Sequence, residues 1–193
     1  MKQGAARHAL KDRGADFYET PAEATLALLK YESLMGRIWE PCAGRGAIAR
    51  LLIQAGHDVV CHDLNAWSGA DEGIETPIDF LLEQQAPQGC RTIVTNPPYN
   101  ILNPFLRHSL QLVDTVIVLL PLMRQEGSTR SDLIDYHLKR VWAFRERLPM
   151  MHREGWEGKK TGIGGVPFGW FVFGTQPHAP DTGFTTRRVS WRV

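Results

Sequence analysis

The segment RIWEPCAGRGAIARLLIQAG (residues 37–56) decides the fold of this chain. Residues 37–40 predict a short strand that ends at Pro41, and residues 47–55 predict a helix that Gly56 ends. Between them, Gly44 and Gly46 permit a tight turn and a close approach of the backbone to a ligand. In an open α/β sheet this turn lies at the carboxyl edge of the strands, where ligands bind. The segment therefore predicts a strand–turn–helix unit with a binding site at its turn.

Strands and helices alternate on both sides of this unit. The predicted helices cover residues 21–30, 47–55, 104–112 and 131–138. The first of them has Thr20 as its N-cap, Pro21 at its first position and Glu23 completing a capping box. Residues 64–76 form a polar connection, and residues 78–81 are either a strand end or a helix start. The predicted strands cover residues 37–40, 58–62, 92–95, 115–120, 141–145 and 169–173. This order predicts an α/β protein whose mostly parallel sheet ends in an antiparallel hairpin.

Length and composition fit one domain over residues 1–193. The hydrophobic fraction is 43%, which is ordinary for a globular protein, and no apolar run approaches the ~20 residues that span a bilayer. Residues 1–14 are polar and basic, unlike a secretory signal, and residues 1–15 are expected to form a flexible arm. The three cysteines lack a CxxC spacing. We therefore expect a cytoplasmic protein with reduced thiols and no membrane partner.

Charge is unevenly distributed along the chain. Residues 1–120 contain 10 Lys and Arg against 14 Asp and Glu, whereas residues 121–193 contain 12 against 7. A positive bias in the C-terminal part is expected of a surface that faces phosphates. Chance asymmetry on a solvated face is the alternative interpretation.

Several acidic residues follow the predicted strands at the expected ligand edge. A carboxylate at Asp63, at the end of the second strand, suits a ribose diol. Asp79 could accept a hydrogen bond from an adenine amine, with the Phe80 ring beside it. Glu40 would repel a pyrophosphate but attract an ammonium group, and no GxxxxGK[ST] phosphate loop is present. An amino-acid ammonium joined to an adenosine indicates S-adenosylmethionine.

Asn96-Pro97-Pro98-Tyr99 follows the apolar strand at residues 92–95. The Asn96 side-chain oxygen can accept a hydrogen bond from an exocyclic amine. The two prolines fix the backbone, and the carbonyl of Pro97 can accept a second N–H. The Tyr99 ring offers a face on which a base can stack. A proline-rich turn after a buried strand is the alternative, and the cofactor residues favour the amine-binding interpretation.

In the order and spacing of these motifs, the chain resembles class I S-adenosylmethionine-dependent amino-methyltransferases. More narrowly, it resembles the small phage- and prophage-type DNA adenine N6-methyltransferases over about residues 16–175. The matched motifs are residues 16–21, residues 40–46, Asp63, the Asp79-Phe80 pair, residues 96–99 and residues 147–173. The resemblance implies a Rossmann-like fold with a mostly parallel seven-stranded sheet and a C-terminal antiparallel hairpin.

The resemblance also implies the site residues. The expected catalytic residues are Asn96, Pro97, Pro98 and Tyr99. The expected cofactor-binding residues are Phe17, Tyr18, Thr20, Glu40, Pro41, Cys42, Ala43, Gly44, Gly46, Asp63, Leu64, Asp79, Phe80 and Asn96. The expected substrate-binding residues, several of them on a substrate-facing loop at residues 148–167, are Tyr99, Met151, Arg153, Trp156, Lys159, Lys160, Phe168 and Trp170. Phe171 and Phe173 are better explained as core residues, and Trp170 is open to either interpretation. No metal is required.

The expected reaction is methyl transfer to the N6 amine of adenine in DNA. RNA bases and a glutamine side-chain amide present the same planar N–H donors, so both remain alternatives. A catalytically silent nucleic-acid-binding relative is a third. The sequence leaves the target site and the oligomeric state open, and a dimer could supply additional surface for recognition of the target.

Overall fold

The structure is a computed structural model that describes residues 19–149, 165–179 and 182–192. The predictions for the N-terminal arm and for most of the loop at residues 148–167 lie outside these residues. The same holds for the predicted site residues Phe17, Tyr18, Met151, Arg153, Trp156, Lys159 and Lys160.

An eight-stranded mixed sheet forms the centre of the fold, in the order β3-β2-β1-β4-β5-β7-β6-β8. Strands β1 to β5 are parallel to one another, and β7 runs antiparallel to both β5 and β6. The strands are β1 (Arg37–Glu40), β2 (Val59–His62), β3 (Ile74–Glu75), β4 (Cys90–Thr95), β5 (Thr115–Pro121), β6 (Leu138–Phe144), β7 (Phe168–Gly174) and β8 (Thr185–Val189). The predicted parallel sheet with an antiparallel hairpin is confirmed.

The predicted number of strands, seven, is wrong by one. The polar connection at residues 64–76 contains the two-residue β3, and β8 adds to the sheet beyond β6, to which it is parallel. Neither strand has a sequence signal, because β3 is too short for a pattern and residues 185–188 of β8 are all exposed. An edge strand with charged side chains is a common way to prevent pairing with other chains.

Among the described residues, three α-helices cover the sheet: α1 (Ala22–Tyr31), α2 (Ala47–Gln54) and α3 (Leu102–Leu112). The predicted capping box at α1 is wrong, because the extended Pro21 is the N-cap and no side chain caps this end. Thr20 instead uses its hydroxyl to accept a hydrogen bond from Asn96. The predicted helix at residues 131–138 is confirmed over residues 131–137, where it widens into a π-helical turn at Leu133–His137, and Leu138 already begins β6.

Apolar side chains pack on both faces of the sheet. On one face, Trp39 and Ile93 pack with Phe105 of α3 and with Phe171 and Phe173 of β7. The prediction that Phe171 and Phe173 are core residues is confirmed, since both are fully buried. On the opposite face, α1 and α2 pack against the sheet through Leu28 and Leu52, together with Ile38, Ile117 and Trp170.

Helix α1 is fixed to the antiparallel part of the sheet by buried hydrogen bonds. Trp170 Nε1 donates to the backbone oxygen of Ala24 at 2.7 Å. The carboxylate of Glu32 accepts from Trp142 Nε1 at 2.7 Å and from two Arg140 nitrogens at 2.6 and 2.8 Å. Trp170 is therefore held in the core with no exposed surface. The expected contact of Trp170 with substrate is therefore corrected, and the core interpretation holds.

In the described part of the chain, no helix combines the length and apolarity needed to cross a membrane.

Replacement of Glu32 by Ala should lower the free energy of unfolding by about 2–3 kcal/mol, because it leaves the buried Trp142 N–H without an acceptor. Urea unfolding followed by tryptophan fluorescence measures the change. Asp114→Ala is the matched control, since it removes the exposed Asp114–Arg91 ion pair and should cost at most about 1 kcal/mol. Equal losses in the two variants would show that Glu32 does not anchor α1.

Candidate active site

A cavity of about 140 Å³ lies at the carboxyl ends of β1, β2 and β4. It brings together most of the residues that the sequence predicts to bind a cofactor and all of those predicted to be catalytic. The predicted residues that line it are Thr20, Glu40, Pro41, Cys42, Ala43, Gly44, Asp63, Leu64, Asp79, Phe80, Asn96, Pro97, Pro98 and Tyr99. The predicted cofactor-binding residues and the predicted catalytic residues thus line the same cavity.

The glycine turn between β1 and α2 has a conformation that requires glycine. Gly44 and Gly46 have φ angles of +59° and +87°. A Cβ atom on Gly46 would lie 2.6 Å from Oδ2 of Asp71. Asp71 is held there by Arg50 of α2, whose Nε and Nη2 lie 2.9 and 2.8 Å from its carboxylate oxygens. The connection after β2 therefore folds closely against the turn.

Asp63 joins the glycine turn to that connection. Its Oδ2 accepts from the backbone N–H of Gly44 at 2.8 Å. Its Oδ1 accepts from the backbone N–H of Asn65 at 2.8 Å and from Trp67 Nε1 at 3.0 Å. A carboxylate offers about four lone-pair sites, so these bonds leave capacity for a further donor from a ligand. The predicted ribose acid therefore also has a structural role that the sequence did not indicate.

Glu40, at the end of β1, is almost completely buried, with 1% of its surface exposed. Burial raises the pKa of its carboxyl group well above the usual range, and the nearby charge of Asp63 adds to the effect, while a backbone hydrogen bond from Ala49 opposes it. Its Oε2 has no hydrogen-bond partner among the described residues. A buried carboxylate oxygen at a cavity wall is suited to a cationic ligand group, which would satisfy and ionise it.

The thiol of Cys42 lies in the same wall but is not an activated nucleophile. Burial, with the charges of Asp63 and Glu40, raises the pKa of the Cys42 thiol far above its ordinary value. Burial likewise raises the pKa of Cys61 to about 12. Since the thiolate is the reactive form of cysteine, both side chains behave as small apolar groups.

The Asp79-Phe80 pair only partly matches its predicted role. Asp79 Oδ1 accepts from the backbone N–H of Leu81 at 3.0 Å and so caps a short turn. Phe80 is 5% exposed, and its ring packs against Trp39 and Phe105 with centroid distances of 5.1 and 4.5 Å. Its ring therefore belongs mainly to the core. The sequence did not predict three further residues of the apolar cavity wall: Trp67, in the polar connection after β2, and Ile78 and Leu81, on either side of the Asp79-Phe80 pair.

At the other end of the cavity, the side chains of the Asn96–Tyr99 motif contact one another. The Tyr99 hydroxyl donates to Asn96 Oδ1 at 2.8 Å, and Asn96 Nδ2 donates to Thr20 Oγ1 at 3.2 Å. The Tyr99 oxygen also lies 3.4 Å from the backbone oxygen of Leu119. The amide of Asn96 is therefore held between two hydroxyl groups from different segments.

Arg124 is a further candidate that the sequence analysis missed. Its guanidinium carbon lies 5.7 Å from the centre of the Tyr99 ring, within the range of a cation–π contact. It follows β5, and the neighbouring Leu122 N–H donates to the backbone oxygen of Pro167 at 2.8 Å. The segment at residues 165–168 thus approaches the site. Phe168 pairs with Pro121 and packs against the core, and its contact with substrate stays a prediction.

Within residues 19–149, 165–179 and 182–192, no group of three or more His, Cys, Asp or Glu side chains is arranged to hold a metal ion.

No protein-family profile matches the chain. Among curated proteins, the ribosomal RNA small subunit methyltransferase A of Thermosynechococcus vestitus is 35% identical over 82 residues. That match covers 38% of this chain and spans 31% of the length of the relative. It is therefore a partial similarity.

Solved structures share the fold at low sequence identity. The 23S rRNA methyltransferase ErmE has a TM-score of 0.53 and 14% identity, over 84% of this chain and 70% of its own. A Plasmodium falciparum dimethyladenosine transferase has a TM-score of 0.53 and 10% identity, over 84% and 63%. A Burkholderia thailandensis N1-methyltransferase with bound S-adenosylhomocysteine has a TM-score of 0.51 and 10% identity, over 80% and 78%. The chain has the Rossmann-like methyltransferase fold.

Replacement of Gly46 by Ala should lower the free energy of unfolding by about 2–4 kcal/mol, because it adds a steric clash with Asp71 to the strain of a positive φ. Gly36→Ala is the matched control: its φ is +71°, but no atom lies within 4 Å of a Cβ built there. The control should cost only about 1 kcal/mol. Chemical denaturation of both variants measures the difference, and equal costs would contradict the close packing of the turn.

Proposed function

We propose that this protein transfers a methyl group from S-adenosylmethionine to an exocyclic amine of a nucleic-acid base, with adenine N6 as the principal target. The observation that carries the proposal is one shared cavity, lined both by Glu40, whose Oε2 has no partner in the part of the chain that the structure describes, and by the Asn96–Tyr99 pair. The first group suits the ammonium of the cofactor, and the second suits the amine of the substrate.

The donor set of the cavity fits S-adenosylmethionine. Glu40 would bind the ammonium group, and Asp63 would accept a hydrogen bond from the ribose. The apolar side chains of Leu64, Ile78 and Leu81 would enclose the adenine. A structure with the same fold, the Burkholderia thailandensis N1-methyltransferase, contains S-adenosylhomocysteine. When bound, the cofactor supplies a sulfonium methyl with a good leaving group.

The residues of the motif would position the amine and raise its reactivity. The lone pair of a base amine is delocalised into the ring, so the nitrogen must be drawn toward tetrahedral geometry before it reacts. Asn96 Oδ1 and the backbone oxygen of Pro97 would each accept one N–H of the amine. The Tyr99 ring would stack on the base. Positioning of the amine against the sulfonium methyl would supply most of the acceleration. No general base is needed, because the amine becomes acidic only after the methyl transfer and then loses its proton to water.

The sequence motifs favour DNA as the substrate, whereas the names of the similar proteins favour RNA. The motif order resembles DNA adenine N6-methyltransferases of phages and prophages. The curated relative and two of the structural neighbours are instead named for ribosomal RNA or dimethyladenosine. Adenine is common to both, and a base in a duplex would first have to be flipped out of the stack. Arg124, whose guanidinium lies beside the Tyr99 ring, would contact the base or its phosphate.

Transfer of labelled methyl groups to DNA, RNA and protein tests this function. The three substrates are incubated separately with the protein and labelled cofactor, and the product nucleosides are identified by mass spectrometry. We expect N6-methyladenosine or its deoxy form. Label confined to glutamine in protein, or cofactor binding without any product, would overturn the proposal.

Asn96→Ala should lower kcat by roughly 100-fold or more, because it removes an acceptor used mainly in the transition state. The affinity for S-adenosylhomocysteine, measured by calorimetry, should stay within about two-fold of wild type. Asn100→Ala is the control, since this neighbouring side chain is exposed and does not line the cavity. Parallel losses of turnover and cofactor affinity in Asn96→Ala would contradict the assigned role.

Cofactor binding should release a proton from Glu40. The raised pKa keeps this carboxyl protonated above its ordinary titration range in the free protein, whereas the ammonium group favours the carboxylate. Affinity should therefore rise with pH until the pKa of the free protein is passed. The dependence of the calorimetric binding enthalpy on the ionisation enthalpy of the buffer gives the number of protons released. The Glu40→Gln variant should release none. Proton uptake, or equal release by both proteins, would contradict a cationic group at this position.

A further inference from the structure

We propose that Thr20 is a positioning residue for the catalytic amide: its hydroxyl holds Asn96 so that the amide oxygen faces the substrate amine. The inference rests on the proposed function and extends it to a residue outside the Asn96–Tyr99 motif. Thr20 lies 76 positions before Asn96 in the sequence, yet its Oγ1 is 3.2 Å from Asn96 Nδ2.

The orientation of this amide determines whether the site can act on an amine. Only the oxygen end of the amide accepts an N–H, whereas the nitrogen end is a donor and would face the substrate donor to donor. Thr20 occupies the nitrogen end, and the Tyr99 hydroxyl donates to the oxygen end at 2.8 Å. An amide oxygen has two lone pairs, so an oxygen that accepts from a hydroxyl group can also accept an N–H of an amine.

Burial makes the contact with Thr20 effective. Thr20 is 7% exposed, so water is poorly placed to replace its hydroxyl at the amide. Loss of this contact removes one of the hydrogen bonds that restrain the terminal torsion of Asn96, which is broad and roughly two-fold in amides. The fraction of molecules with the productive orientation would then fall.

The position of Thr20 is fixed by contacts between α1 and the antiparallel strands β6 and β7. It immediately precedes Pro21 and α1, and α1 is held on β6 and β7 through the Trp170–Ala24 bond and the Glu32 cluster. The catalytic amide after β4 therefore depends on a helix that is anchored to the antiparallel end of the sheet. Because the Thr20 hydroxyl is bonded to Asn96, it does not cap α1, although the sequence predicts Thr20 as the N-cap of this helix.

The contact also separates two roles for Thr20. The resemblance implies that Thr20 binds the cofactor, whereas the geometry directs its hydroxyl to Asn96. The two roles differ in what they affect: a cofactor ligand changes the affinity for S-adenosylhomocysteine, and a positioning residue changes kcat.

Thr20→Val tests the proposal, because valine has the shape of threonine without its hydroxyl. With DNA or RNA, whichever is methylated, we expect kcat to fall roughly ten-fold with KM and S-adenosylhomocysteine affinity within about two-fold of wild type. Thr20→Ser should restore most of kcat. Thr25→Val is the matched control: this buried threonine of α1 has a hydroxyl without a partner among the described residues, so its kcat should be unchanged.

Two results would overturn the positioning role. Weaker S-adenosylhomocysteine binding with an unchanged kcat would make Thr20 a cofactor ligand. Equal losses in Thr20→Val and Thr20→Ser, at unchanged thermal stability, would assign the effect to side-chain shape rather than to the hydroxyl.

A measurement that needs no substrate separates this inference from the proposed function. The side-chain N–H protons of Asn96 are followed by NMR, and we expect their hydrogen exchange to be faster in Thr20→Val than in wild type and Thr25→Val. Faster exchange in Thr20→Val, in a protein that methylates no nucleic acid, would support the positioning role of Thr20 but overturn the proposed methyl transfer. Exchange that is the same in all three proteins would overturn the positioning, whatever the substrate.

Discussion

The carboxylate of Asp63 is the interaction on which the candidate site depends. It accepts hydrogen bonds from the glycine turn at Gly44 and from the following loop at Asn65 and Trp67. The loop is fastened a second time where Arg50 holds Asp71 against Gly46. These contacts shape the cofactor end of the cavity before any ligand enters, which reduces the ordering that binding would have to impose.

The amine end of the cavity is built by a different part of the fold. Asn96 emerges from β4, Tyr99 approaches β5, and Thr20 arrives with α1, which is anchored to β6 and β7. The parallel half of the sheet thus shapes the end of the cavity proposed for the cofactor, while the antiparallel half fixes the position of the Asn96 amide through α1. Asp63 and Asn96 lie at one edge because the carboxyl ends of the parallel strands β2 and β4 lie together.

The sequence predicted the elements whose signals are local. The glycine turn, the buried strands and the Asn96–Tyr99 motif each have a short pattern, and the structure places them as expected. Strand β8, the capping of α1 and the place of Trp170 depend on distant contacts: a pairing with β6, a bond to Asn96 and a bond to Ala24. Arg124 and the part of the cavity wall around Trp67 were not predicted either, because neither belongs to a sequence motif.

A crystal structure with S-adenosylhomocysteine and adenosine tests the central claim most directly, because it shows whether one cavity binds the cofactor product and an amine together. We expect the amino group of S-adenosylhomocysteine at hydrogen-bond distance from Glu40 Oε2, and the N6 amine of adenosine at Asn96 Oδ1, with its base on the Tyr99 ring. Adenosine bound elsewhere, or bound with N6 directed away from Asn96 and from the sulfur, would contradict the proposed reaction.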